Sequence, residues 1–184
     1  MKIKVILFLF IAIFSSLLFS KDFAVLVGIN DYKYLENLKY AEKDAEDVEK
    51  ALLEKNFSVS TLTGTGISKE IILEEIKDVS RNSLSEDTLL FFFSGHGMSG
   101  QEETEKGLMT YYSDPEDMSN ILSHEELKKA LSRFKGKKIV VLDACFQGNR
   151  QKNLSMKPFY ADKKFSENFD FILTASAGNQ IAND

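Results

Sequence analysis

Apolar runs of strand length recur along the chain and predict the strands of a buried sheet. The run at 23–29 is typical of a buried strand, and the run at 87–94 is apolar enough to be covered on both faces of a parallel sheet. The predicted strands span residues 23–29, 57–63, 87–94, 137–144 and 169–176. A shorter run at 107–113 predicts a short strand or one arm of a hairpin.

Three segments between these runs carry apolar residues at helical spacing. The predicted helices span residues 40–56, 68–83 and 123–134. Ser68 is a predicted N-cap, and Ser123 with Glu126 has the spacing of a capping box. His124 lies among glutamates in the first turn of the last helix, so we expect it on the surface. The alternation of strands and helices predicts an α/β fold, a mostly parallel sheet with helices on both sides in one domain over residues 21–184.

The first twenty residues differ from the rest of the chain. Lys2 and Lys4 precede an apolar run, Val5–Phe19, and a serine follows it, which is the order of segments in a signal peptide. The run is shorter than the roughly 20 apolar residues that a membrane-spanning helix needs. We therefore predict a signal peptide over residues 1–20, export to the periplasm or the extracellular space, and no stable membrane insertion after cleavage. Leu18 is large for its place before the cut, so an uncleaved N-terminal membrane anchor is the alternative.

Charge and composition narrow the choice of function. The chain of 184 residues has a net charge of −5, and cleavage would remove Lys2 and Lys4 and make it −7. This acidic balance argues against nucleic acid as a partner. The chain has one cysteine, which excludes an internal disulfide.

No cofactor or metal is predicted. Two histidines and one cysteine without clustered spacing give no zinc motif. The glycine-containing segment "TGTGISK" at 63–69 lies between a predicted strand and helix, where phosphate loops occur. It lacks the third glycine of a dinucleotide fingerprint and the ending of a Walker loop, so a turn followed by a helix cap is the better interpretation.

One histidine and the only cysteine follow two predicted neighbouring strands. His96 comes after the strand at 87–94, and Cys145 comes after the strand at 137–144. The carboxyl ends of parallel strands meet at one edge of the sheet, so we expect the two side chains there together. A thiolate attacks carbonyl carbon, and a nearby imidazole favours the thiolate and protonates the leaving amine. Taken singly, Cys145 could be a buried small residue and His96 a loop histidine, but their joint placement favours a catalytic pair. The amides of Gly97 and Cys145 are candidate oxyanion donors.

Three motifs resemble the caspase-like cysteine peptidases, closer to the metacaspases than to the animal caspases. They are "AVLVGINDY" in the first predicted strand, "FFFSGHG" with His96 and "VVLDACFQG" with Cys145. The resemblance implies a caspase-like fold, a three-layer α/β/α sandwich, and a thiol endopeptidase acting on peptides or proteins. The family continues beyond a segment similar to residues 171–184, so the resemblance also predicts a fold without its last strand and helices. An exposed sheet edge would then be available to a partner.

The resemblance also implies a specificity pocket. Asp143 matches the aspartate of the family's D-x-C-x-x-G motif, which implies cleavage after Arg or Lys because a carboxylate selects a cationic side chain. "AEKDA" aligns Asp44 with a second pocket aspartate, although a solvated helix residue is an equal alternative. Ser94 is a further substrate-site candidate. Calcium activates some metacaspase-like enzymes, but the acidic segment 113–120 is too generic to assign as a calcium site.

Two pairs of alternatives stay open, one for a loop and one for the chain as a whole. The basic loop at 146–168 is longer than most loops and contains its own candidate cleavage sites, so it is either an autoprocessing segment or a solvated basic loop. The chain itself is either an active peptidase or a catalytically inactive caspase-like module that acts by binding a protein.

Overall fold

The structure, a computed structural model, describes residues 20–98, 106–116, 119–147 and 169–174, and of residues 145–147 it describes the backbone alone. Seven strands and three helices form this part of the chain. In chain order the elements are β1 (Asp22–Gly28), α1 (Ala41–Leu53), β2 (Ser58–Leu62), α2 (Lys69–Ser80), β3 (Thr88–Met98), β4 (Gly107–Leu108), β5 (Leu122–Ser123), α3 (His124–Leu131), β6 (Lys137–Gln147) and β7 (Phe171–Thr174).

Five parallel strands form the body of the sheet. Their order is β2-β1-β3-β6-β7, with β3 at the centre between β1 and β6. β4 and β5 add a short antiparallel extension beside the end of β3, where Gly97 pairs with Leu108 and Met98 with Gly107. The mostly parallel α/β architecture predicted from the sequence is confirmed.

Helices cover both faces of this sheet and bury its alternating side chains. α1 packs against a small cluster formed by Ala24, Leu26 and Phe92. α2 and α3 pack on the opposite face over a larger cluster that contains Val25, Phe91 and the neighbouring apolar positions of β1, β3 and β6. Successive side chains of a strand point to opposite faces, so each central strand contributes to both clusters. The resulting layers are those of an α/β/α sandwich.

β3 and β6 are longer than predicted, and this changes the setting of the candidate dyad. The apolar runs end at residues 94 and 144, but the backbones stay paired to Met98 and Gln147. Backbone pairing continues because β4 adds hydrogen-bond partners beyond the end of β1. The predicted run at 107–113 is a strand at Gly107–Leu108 alone, and β5, with two residues, was not predicted because it is too short to show a period.

The predicted helix caps are present. The Ser68 hydroxyl accepts a hydrogen bond from the Ile71 amide, as an N-cap of α2. Ser123 and Glu126 form a reciprocal capping box at the start of α3. The segment "TGTGISK" is a turn, with positive φ at Gly64 and Gly66 before the cap. The prediction for His124 was wrong, because its side chain is 4% exposed in the first turn of α3.

Glu126 also links α3 to α2 through an ion pair with Lys69, 2.9 Å from Nζ to Oε1. Burial opposes ionisation of Glu126, but hydrogen bonds from Lys69 and Ser123 outweigh it and hold its pKa below the usual value. A lowered pKa gives stability that is present above the unfolded-state pKa and is lost as the pH falls through the folded-state pKa.

We expect Glu126→Gln to lower the free energy of unfolding by about 0.5 kcal/mol at pH 7, since a partly exposed ion pair contributes little and glutamine keeps the capping box. Glu126→Ala, which removes both, should cost about 1–2 kcal/mol. Urea unfolding at pH 7 and in the acid range below the usual glutamate pKa measures both effects. The Glu126→Gln difference should shrink on acidification. A difference that does not change with pH would contradict the assigned role of the ion pair.

The far edge of the described sheet is β7. It pairs with β6 in parallel, and Ile172 is the register partner of Val140. Phe171 and Leu173 of β7 are 56% and 53% exposed. Across the described residues, no helix is long and apolar enough to cross a membrane.

Candidate active site

The pairing of β3 with β6 makes His96 and Cys145 register partners on neighbouring strands. Parallel strands lie about 4.8 Å apart, so the two backbones are in direct contact at this position. The sequence predicted both residues at the ends of these strands, directly after residues 94 and 144, and the structure extends the two strands past them. Both lie inside the extended ends of β3 and β6, where backbone pairing fixes their separation.

The ring of His96 is oriented by the loop that follows β1. Its Nε2 lies 2.8 Å from the carbonyl oxygen of Glu36. A carbonyl oxygen only accepts hydrogen bonds, so Nε2 is the donor and carries a proton. In the neutral ring, Nδ1 is then the nitrogen with a free lone pair, and it is the atom able to accept a proton.

Tyr32 in the same loop contacts both the backbone and the ring of His96. Its hydroxyl oxygen accepts a hydrogen bond from the His96 amide at 2.8 Å, and the two rings lie 4.7 Å apart at a tilt of 51°. Burial raises the pKa of Tyr32 above its usual value, although the hydrogen bond from His96 acts in the opposite direction. Sequence reasoning missed Tyr32 and Glu36. Tyr32 lies in the "AVLVGINDY" motif, which was the available signal, whereas a backbone carbonyl has no sequence signature.

The three predicted substrate-binding residues come together on the α1 side of the sheet. The hydroxyl of Ser94 donates to Asp44 Oδ2 at 3.1 Å, and Ser94 is 4% exposed. Asp143 is the register partner of Ser94, two positions before Cys145. Register partners lie on the same face of a sheet, so Asp143 is on the face that α1 covers. Asp44 is half-buried rather than a fully solvated helix residue.

Gly28 allows α1 to approach the sheet closely enough for this contact. A Cβ at Gly28 would lie 2.4 Å from the carbonyl oxygen of Ala41 and 2.9 Å from the Cβ of Ala45. These are atoms of α1, and the nearest is backbone, so they cannot move aside without moving the helix. Gly28 therefore sets the distance between α1, which carries Asp44, and the end of β3, which carries Ser94.

We expect Gly28→Ala to lower the free energy of unfolding by about 2–3 kcal/mol, the upper part of the usual range for overpacking a core, because the nearest contact is backbone. Gly64→Ala is a contrasting control, because a Cβ there meets nothing within 4 Å but φ is +90°. That variant tests backbone strain without crowding and should cost about 1–2 kcal/mol. Thermal and urea unfolding measure both. A cost at Gly28 no larger than at Gly64 would contradict the close approach.

The remaining predictions for the site have different outcomes. Gly97 lies in β3 and pairs with Leu108 of β4 and with Phe146 of β6. The oxyanion role of the backbone amides of Gly97 and Cys145 stays a prediction. Among the described residues, no group of three or more His, Cys, Asp or Glu side chains is placed to hold a metal ion. Residues 148–168 of the candidate autoprocessing loop lie outside the described residues.

Comparison with known proteins gives a family and a fold. The sequence profile of the caspase domain family, peptidase C14, matches residues 21–181. Among solved structures, protein GSU0716 from Geobacter sulfurreducens aligns with a TM-score of 0.60 and 22% identity, over 70% of this chain and 52% of that protein. The chain thus spans about half the length of that protein, and at this identity the likeness shows a shared fold. No curated protein matched the chain.

Proposed function

Because the chain belongs to the caspase domain family, peptidase C14, we propose that it is a cysteine endopeptidase with Cys145 as nucleophile and His96 as general acid and base. The observation that carries the proposal is the register of β3 and β6, which makes these two residues neighbours on paired strands. The hydrogen bond from His96 Nε2 to Glu36 supports it further, since it leaves Nδ1 as the proton acceptor.

In the proposed reaction, Nδ1 of His96 takes the proton of the Cys145 thiol, and the thiolate attacks the carbonyl carbon of the scissile peptide bond. The amides of Gly97 and Cys145 stabilise the oxyanion that forms. The imidazolium of His96 returns the proton to the leaving amine as the C–N bond breaks, which leaves an acyl-thioester on Cys145. Water then hydrolyses the thioester, with His96 as base, and frees the thiol and the carboxylate product.

The proposed substrates are cleaved after Arg or Lys. Asp143 and Asp44 place two carboxyl groups on one face of the sheet, near the strand ends that carry the dyad, with the Ser94 hydroxyl beside one of them. A cationic side chain gains charge-assisted hydrogen bonds at such a site, whereas an acidic side chain is repelled. The substrate is therefore a peptide or protein with a basic residue before the cut.

We also propose export through residues 1–20. The basic and apolar order of this segment supports a signal peptide. Fusing these residues to a reporter that is active only after export tests the proposal, and mass spectrometry of the exported product locates the cut. An inactive reporter, or an uncut fusion protein in the membrane fraction, would contradict a cleaved signal.

The central experiment assays the purified full chain and its Cys145→Ala variant on fluorogenic peptides ending in Arg, Lys or Asp, with and without calcium. We expect Cys145-dependent turnover of the Arg and Lys peptides. Cleavage after Asp alone would refute the pocket while keeping the enzyme. Absence of Cys145-dependent turnover on every peptide would refute the peptidase and leave a protein-binding module as the better account.

A further inference from the structure

The loop between β1 and α1 holds His96 at three points. The Tyr32 hydroxyl binds the His96 amide at 2.8 Å, the Tyr32 ring lies 4.7 Å from the imidazole, and the Glu36 carbonyl binds Nε2 at 2.8 Å. One short segment therefore fixes the backbone of His96, the place of its ring beside Tyr32, and the nitrogen of the ring that carries the proton. A contact set of this kind restricts both translation and rotation of the ring.

The Tyr32 hydroxyl lies in a buried site next to Gly95. Tyr32 is 6% exposed, and burial raises its pKa, so the phenol stays neutral and its oxygen remains an acceptor for the His96 amide. A Cβ at Gly95 would lie 2.6 Å from this oxygen and 2.9 Å from the ring of Phe93. Any larger residue at 95 would displace the hydroxyl. The glycine before His96 therefore makes room for Tyr32.

Asn37 joins the two contact points of the loop. Its Oδ1 accepts a hydrogen bond from the Tyr32 amide at 2.9 Å, and its Nδ2 donates to Asp31 Oδ1 at 3.1 Å. The amide side chain thus closes the segment from Asp31 to Asn37 into a ring that contains both Tyr32 and Glu36. A shift of Glu36 relative to Tyr32 would break these bonds.

We propose that Tyr32 is a positioning residue for the dyad, which places His96 for proton exchange with Cys145, and that Asn37 holds the loop in the geometry this requires. The inference rests on the proposed function, because Tyr32 acts through His96. It assigns a role to a tyrosine that the proposed reaction steps do not use directly. It also gives three residues of the loop after β1, Tyr32, Glu36 and Asn37, a part in positioning His96.

The role follows from the small distances over which proton transfer works. The imidazole must stay within hydrogen-bond reach of the thiol, and a misplacement of about 1 Å can cost about 100-fold in rate. Without the hydroxyl, the partly buried His96 amide loses its acceptor and the end of β3 can relax. Without the ring, the imidazole also loses its lateral contact. Substrate binding depends on other residues, so the loss should fall on kcat rather than KM.

The test uses Tyr32→Phe, which keeps the ring, beside Tyr34→Phe, a matched control in the same loop whose tyrosine is 50% exposed. Two readouts are measured. One is steady-state hydrolysis of the best basic peptide, and the other is alkylation of Cys145 by iodoacetamide as a function of pH. Cys145 is the only thiol in the chain, so alkylation reports its reactivity without any need for peptide turnover. His96→Ala gives the alkylation rate of a thiol without its partner.

We expect Tyr32→Phe to lower kcat and the alkylation rate near pH 6 by about 5- to 10-fold, the scale of one lost hydrogen bond. KM should stay within about twofold, and Tyr34→Phe should match wild type in both readouts. Asn37→Ala, whose side chain is at an exposed position, should move both readouts in the same direction by about 3-fold. Thermal unfolding of each variant confirms that the protein compared is folded.

The outcomes separate this inference from the proposed function. Wild-type rates in Tyr32→Phe and Asn37→Ala would overturn the positioning role while leaving the peptidase intact. A loss that falls on KM alone would also overturn it. If wild type turns over no peptide yet its alkylation depends on both His96 and Tyr32, the peptidase proposal fails and the positioning role stands. Alkylation that is equal in wild type and His96→Ala would overturn both the role of His96 in activating the thiol and the positioning role of Tyr32.

Discussion

Replacing His96 by alanine is expected to lower kcat/KM on basic peptides by about 10²–10⁴-fold, the usual contribution of a general acid and base. Both proton transfers of the proposed reaction pass through this ring, first from the thiol and then to the leaving amine. Its register partner is Cys145, and its Nε2 is already engaged with Glu36. The variant therefore loses the proton acceptor without losing the strand pairing.

His124→Gln is the matched control, because His124 is the one other histidine in the chain. It is buried in the first turn of α3, and the proposed mechanism does not use it. We expect its kcat/KM to stay within about twofold of wild type once folding is verified by circular dichroism. Initial rates over a range of pH are the measurement. Full activity in His96→Ala, or an equal loss in both variants, would contradict the assigned role.

The sequence was sufficient to predict the central strands of the sheet because β1, β3 and β6 contain continuous apolar runs. A run such as "DTLLFFFS" can be buried on both faces, and this dictates a central parallel strand. The predicted elements correspond to β1, β2, β3, β6 and β7 and to all three helices of the described chain. Strand ends were less predictable. Beyond Ser94 and Ala144 the continuous apolar runs stop, and pairing with β4 and between β3 and β6 carries the strands onward.

The site was predicted in part for a similar reason. His96, Cys145, Asp143 and Ser94 carry reactive or polar groups in recognisable motifs, so their side chains could be singled out from the sequence alone. The support around His96 could not, because it consists of a backbone carbonyl, a backbone amide and one phenol. Position along the chain gives no information about which amide a tyrosine will bind. His124 was misplaced because flanking glutamates suggested an exposed turn, whereas packing of α3 buries it.

Asp44 shows how the fold decides between alternatives that a sequence leaves equal. A helix of alternating charges gives no reason to prefer a solvated Asp44 over a pocket residue. Gly28 lets α1 approach the sheet, and the Ser94 hydroxyl then reaches the carboxylate. The contact depends on a glycine from another element, which no local pattern in α1 could reveal.

Replacing Asp143 by asparagine should lower kcat/KM for Arg and Lys peptides by roughly 10- to 100-fold, the scale of one charge-assisted hydrogen bond. Peptides with neutral glutamine before the cut should lose less than about threefold, since asparagine keeps the size and polarity of the site. The ratio of basic to neutral peptides is the quantity to compare, because it cancels any general loss of activity.

Asp44→Asn should also lower the ratio of basic to neutral peptides. If Asp44 binds the substrate together with the Ser94 hydroxyl, the fall should be smaller than in Asp143→Asn. Asp47→Asn is the control, since it removes one negative charge from the exposed side of the same helix, where Asp47 pairs with Lys43 and Lys50. Asp47 is exposed and already pairs with two lysines, so Asp47→Asn should leave the ratio nearly unchanged. An equal fall in the ratio for Asp47→Asn and Asp143→Asn would mean that general charge attracts basic peptides. The pocket would then need another location.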